Sequence, residues 1–145
     1  MKDVNYPLRK AYFAALSGIT YGGVAVPVYY GSLPEDEAPV NYIIFGGLTH
    51  NDDSTKNSAD TVSLMKTTIH TYNNKYNDGK AADVIGGIVY QRIYPDSHTN
   101  LDLSADGLQI TGTTFSNDFT NDFVINKAVV YVDRTLIFRH TIYVQ

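Results

Sequence analysis

Residues 128–144 read AVVYVDRTLIFRHTIYV, and residues 108–124 read LQITGTTFSNDFTNDFV. In the first, Val130, Val132, Leu136, Phe138, Ile142 and Val144 fall on one side of an extended chain, interrupted by Arg134 and His140. The other side carries Tyr131, Ile137 and Tyr143 among Asp133, Thr135, Arg139 and Thr141. Alternation with a period of two is the signature of a strand, and a strand that is apolar on both sides requires cover on both. In the second, Phe115, Phe119 and Phe123 recur every fourth residue, a spacing that fits one face of a strand and also one face of a helix. Thr113, Thr114, Ile110 and Val124 favour the strand. Joined near Asn126 and Lys127, the two segments predict a C-terminal hairpin of unusual length.

Outward from that hairpin, Ala81, Val84, Ile85, Ile88, Val89 and Ile93 stand three and four apart, which predicts a helix capped by Asn77 or Asp78 and ended by Pro95. Gly86 and Gly87 inside it each cost roughly 1 kcal/mol relative to Ala, so the pair is expected to admit a sheet or a neighbouring subunit at close range. Residues 61–72 alternate, with Val62, Leu64, Lys66, Thr68, His70 and Tyr72 opposite Ser63, Met65, Thr67, Ile69 and Thr71, and read as a strand. Residues 47–60 are polar and without apolar period, and read as a long exposed loop. Residues 24–30 and 41–45 predict two neighbouring strands around an acidic, Pro-flanked turn. Residues 4–17 predict a helix with Leu8, Tyr12 or Phe13, and Leu16 on its apolar stripe, Pro7 in the first turn and Gly18 as its stop. The order is that of an α+β protein, two helices packed on a largely antiparallel sheet.

The chain has 145 residues, which fits one domain, residues 1–145. With 43% hydrophobic residues and 18 aromatics (12 Tyr and 6 Phe), it can bury a sizeable core. Fifteen acids against eleven bases leave a net charge of −4, which argues against a surface built to neutralise phosphates. The absence of Cys removes disulfides, zinc ribbons and thiol catalysis, and fits maturation in a reducing cytosol. The uncharged run over residues 11–34 is broken by Gly18, Gly22, Gly23, Pro27 and Gly31 and reads neither as a bilayer span nor as a signal peptide, so a soluble, unprocessed chain is expected.

The doublets Gly22-Gly23, Gly46-Gly47 and Gly86-Gly87 lack the context that phosphate cradling requires. His50, Asp52 and Asp53 are the best metal or nuclease candidate, since two carboxylates and an imidazole lie within four residues, but a loop is a poor place to fix ligands. A solvated loop with Asx turns accounts for them better. His70 and His140 have no nucleophile motif beside them and read as structural. Between Arg92 and Lys127 the chain carries Asp96, Asp102, Asp106, Asp118 and Asp122 and no Lys or Arg, which reads either as a solvated, charge-protected edge or as a surface that repels polyanions.

The order of elements, together with Ala38-Pro39-Val40-Asn41-Tyr42-Ile43-Ile44-Phe45-Gly46, Asp53-Ser54-Thr55-Lys56, Ile69-His70-Thr71-Tyr72, Asp78-Gly79-Lys80-Ala81-Ala82 and Arg134-Thr135-Leu136-Ile137-Phe138-Arg139-His140, resembles the phage tail-completion or tail-terminator family over nearly the whole chain. The acidic stretch and the long Phe-rich strand exceed what its shortest members carry. The resemblance implies a virion structural protein, assembled in the host cytoplasm. It would form a homo-oligomeric ring, hexameric or larger, at the head–tail neck. By that resemblance it would cap the tail, join it to the head, contact neck, portal and tail proteins, and let DNA pass without binding it specifically. It implies no catalysis and no cofactor. The residues agree, because an exposed edge, a hairpin apolar on two faces and glycine notches are what a subunit needs to meet its next copy. Phe115, Phe119, Phe123, Tyr131, Ile137, Tyr143, Gly86 and Gly87 are the expected interface, and Asp118 and Asp122 the expected channel-facing acids. The alternatives are a stopper or adaptor ring of the same neck, a small metal-dependent hydrolase, and a monomeric ligand-binding domain.

Overall fold

A computed structural model describes residues 3–37, 39–52, 60–73, 79–96, 98–125 and 129–144. Helix α1 (Asn5–Leu16) is followed by a two-stranded ribbon, β1 (Thr20–Tyr21) and β2 (Val24–Ala25). Strands β3 (Val28–Tyr30), β4 (Asn41–Asp52) and β5 (Asp60–Asn73) precede α2 (Lys80–Ile93), and β6 (Leu108–Ile125) and β7 (Val129–Val144) close the chain. The main sheet has five strands in the order β3-β4-β5-β7-β6. Only β3 runs parallel to its neighbour, and every other pair is antiparallel. The expected α+β class, with two helices and a long C-terminal hairpin, is what the chain adopts.

Both helices pack on one face of that sheet. Leu8, Tyr12 and Leu16 of α1 and Ile85, Val89 and Ile93 of α2 are buried against Ile43, Phe45, Met65, Ile69, Leu136, Phe138 and Ile142 in a single core. Arg92 on α2 donates from its Nη1 to the carbonyls of Ala15 at 3.0 Å and Ser17 at 3.1 Å, so one helix satisfies carbonyls that the end of the other leaves free.

The elements depart from expectation in four places. Residues 47–52 are not loop: β4 runs on to Asp52, paired with β5 through Asn51↔Val62 and Asp52↔Thr61. A strand need not be apolar where its partner is, because ladder hydrogen bonds do not depend on side chains, and the irregularity between Gly47 and Thr49 absorbs the break in pattern. Residues 24–30 are two strands rather than one, because Pro27 has no N–H to donate; it stands between them, and its carbonyl accepts from Ile43 N–H at 2.9 Å. The expected caps Asn77 and Asp78 lie outside the described residues, and Gly79, with φ of 74°, holds the N-cap position of α2. Within the expected polar link before β6, and not a departure, Ser104–Asp106 form a short 3₁₀ turn.

The fourth departure concerns the phenylalanines. The β6–β7 register slips between Phe115↔Phe138 and Asn117↔Ile137, leaving Ser116 as an extra residue in β6. A bulge of one residue reverses every side chain beyond it. Phe115 therefore faces the helices, with its ring 5.6 Å from that of Tyr90 and 6.1 Å from that of Phe138, whereas Phe119 and Phe123 oppose Thr135 and Tyr131 on the other face.

Candidate interaction surface

The two polar interruptions of the β7 core face have partners. His140 is fully buried, with Nε2 hydrogen-bonded to the Tyr12 hydroxyl and Nδ1 to the Thr113 hydroxyl at 2.8 Å. Burial pushes its pKa down to about 4 and pushes the Tyr12 phenol well up, so both are neutral at pH 7. Arg134 donates to Asp118 from Nε at 3.1 Å and from Nη2 at 2.8 Å, and Tyr90 donates to the same carboxylate at 3.2 Å. The Arg134 hydrogen bond holds Asp118 below the usual carboxylate range, while burial, then Asp118, drives the Tyr90 phenol up to about 12. Gly86 makes room for this cluster, since a Cβ there would stand 3.0 Å from Arg134 Cζ and 3.1 Å from its Cδ. His140 is thus part of the packing of α1 on the sheet, and Arg134 part of that of α2.

The face away from the helices is different. Across β4, β5, β7 and β6 run three rows set by the register: Tyr42, His70, Asp133 and Asn121; Ile44, Thr68, Thr135 and Phe119; and Tyr72, Tyr131 and Phe123. The Tyr42 and His70 rings stack with centroids 4.7 Å apart, and His70 Nδ1 lies 2.9 Å from an Asp133 oxygen. Burial, then the Asp133 charge, raises the Tyr42 phenol. Tyr72 and Tyr131 pack at 5.0 Å. The segment bearing Leu33, Glu37, Pro39 and Val40 walls this end of the sheet into a groove of about 940 Å³. Phe119, Phe123 and Tyr131 remain 41%, 51% and 39% exposed, so the open face is an uncovered aromatic surface.

Of the expected interface residues, Phe119, Phe123, Tyr131, Ile137 and Tyr143 share this open face, while Phe115 and Gly86 lie on the helix side and Gly87 is exposed on α2. Asp122 is exposed; Asp118 is held by Arg134. His50 is on β4, with Nδ1 2.7 Å from Ser63 Oγ. Asp53 lies outside the described residues, and no group of three or more potential ligands gathers among those described. No helix among the described residues is long and apolar enough to cross a membrane. Tyr42, His70 and Asp133 were not legible as a cluster, because they are brought together only by the pairing of three strands.

A two-layer α+β fold, helices on one face and an aromatic sheet open on the other, is the class of molecule this arrangement defines. No protein-family model and no curated protein matches the chain. Among solved structures, a chain from the virion of the native gene transfer agent (GTA) particle is similar in fold, with a TM-score of 0.57 at 22% identity over 95% of this chain and 90% of that chain.

Proposed function

We propose that this chain is a structural protein of a phage-like virion, a tail-terminator or tail-completion subunit whose copies close into a ring at the head–tail interface, cap the tail and let DNA pass. The observation that carries this reading is the near end-to-end likeness of fold to a component of the gene transfer agent virion. The open face supports it from the physics, because a monomer gains nothing from leaving Phe119, Phe123 and Tyr131 in water, and a subunit with a next copy to meet does. The chemistry is structural rather than catalytic: the buried histidine is neutral and enclosed, and Asp118 is occupied by Arg134. The exposed acids Asp96, Asp102 and Asp122 fall in a stretch without Lys or Arg, and a channel wall of that composition offers a passing polyanion little to hold. A stopper or adaptor ring of the same neck would use the same physics at a different level of the stack.

Deleting the gene and imaging the particles tests the reading. Unjoined heads and tails of uneven length are expected, with the ring restored at the neck by complementation. Complete particles lacking this chain, or a chain that turns over a substrate as a single subunit, would overturn it.

A further inference from the structure

We infer that the aromatic groove on the open sheet face is filled by the exposed side of α1 from a second copy of this chain. The inference deepens the ring reading above and rests on it. Tyr6, Arg9, Lys10 and Phe13 follow one another at helical spacings of three, one and three, and all four are exposed. Between Asp3 and Glu35, Arg9 and Lys10 are the only charged side chains, and Lys10 pairs with Asp106 at 3.1 Å, so Arg9 supplies the positive charge of this otherwise aromatic side of α1. Arg9 holds its guanidinium 4.2 Å from the Tyr30 ring centroid, at the surface.

The groove has the complementary character. Its lining includes the acidic residues Glu37 and Asp133, its aromatic walls are Tyr42, Tyr72, Tyr131 and Phe123, and no Lys or Arg is among its described lining residues. Aromatic faces beside carboxylates suit a guanidinium or ammonium flanked by further rings. The chain's own α1 cannot reach the groove, because Tyr12 ties that helix to Phe45 and His140 on the opposite face of the sheet. Joining unlike faces makes the contact heterologous. Each added copy leaves one groove and one helix free, so the series closes only as a ring.

The absence of native Cys makes the contact directly testable by disulfide trapping. Phe13 and Val40 are 51% and 57% exposed, so Phe13→Cys and Val40→Cys, made in separate chains, leave the core untouched. Mixed and mildly oxidised, the two are expected to give a linked heterodimer at least roughly tenfold above a control that pairs Phe13→Cys with Thr114→Cys, which is on the same face outside the groove. Arg9→Glu should suppress the link, and adding Glu37→Lys to the groove-bearing chain should restore it. Rings or particles that contain the chain while Phe13→Cys links no better to Val40→Cys than to the control overturn this docking and leave the ring reading standing. A chain that neither links nor occurs in purified particles overturns both.

Discussion

The two faces of the five-stranded sheet are built from similar residues and do opposite things. On the helix side, Phe45, Phe138, Tyr12 and His140 are sealed from solvent and each polar atom of the histidine has a partner. On the open side, Tyr42, Tyr131, Phe119 and Phe123 form a second aromatic field, of which half or more of Phe123 stays in water. The helix side carries the buried core, while the open side leaves Phe119, Phe123 and Tyr131 partly in water. The difference teaches that aromatic content alone does not say where a core is; the presence of an amphipathic helix over one face does.

The largest effect that sharpens this contrast is a pair of truncations. Phe138 is fully buried, and its ring lies within 6.4 Å of the rings of Tyr90, Tyr94, Phe115 and His140. Phe138→Ala is expected to cost about 3–5 kcal/mol, because it leaves a cavity that four rings cannot collapse into. Phe123→Ala should change the stability of the monomer by no more than about 0.5 kcal/mol. Denaturant unfolding of dilute protein checks both, and equal losses would break the division between the faces.

Much of this was legible beforehand. The alternation over residues 61–72 and 128–144 gave strands with the right inward and outward sets, since one buried face specifies register strongly. The helix stripes Leu8, Tyr12, Leu16 and Ile85, Val89, Ile93 were equally plain. What was hidden depends on pairing. The bulge at Ser116 turns a regular Phe-x-x-x-Phe spacing into two faces, and nothing in Phe115-Ser116-Asn117 announces it. The strand at residues 47–52 is polar because it is an extension held by its neighbour. The Tyr42–His70–Asp133 row joins residues 28 and 63 positions apart, beyond the reach of any local pattern.

A pH series probes the sealed side alone. His140 titrates near pH 4 in the folded chain and near 6.5 when unfolded, so between those values the unfolded state binds more protons. Stability from this group is complete above pH 6.5, declines as pH falls toward 4, and levels off below; the total loss is about 3 kcal/mol. His140→Gln should flatten that part of the profile while keeping a side chain within reach of Tyr12. An unchanged slope in the variant would assign the acid sensitivity to the carboxylates instead.

The smallest effects separate the two adjacent glycines of α2. At Gly86, Ala gains roughly 1 kcal/mol of helix propensity but displaces a guanidinium that makes two charge-assisted bonds to Asp118, so a net loss of about 1 kcal/mol is expected, turning into a gain in an Arg134→Ala background. At Gly87, a Cβ meets no atom within 4 Å, so Ala should simply stabilise the helix, by up to about 1 kcal/mol or roughly 2–4 °C in Tm. The sharper readout is self-association. If the next copy approaches through α1, as the exposed charge of Arg9 argues, Gly87→Ala raises Tm and leaves disulfide trapping between Phe13→Cys and Val40→Cys unchanged. A variant that is more stable yet associates less would move the contact from α1 to α2, because only a neighbour pressed against that bare backbone has reason to object to one methyl group.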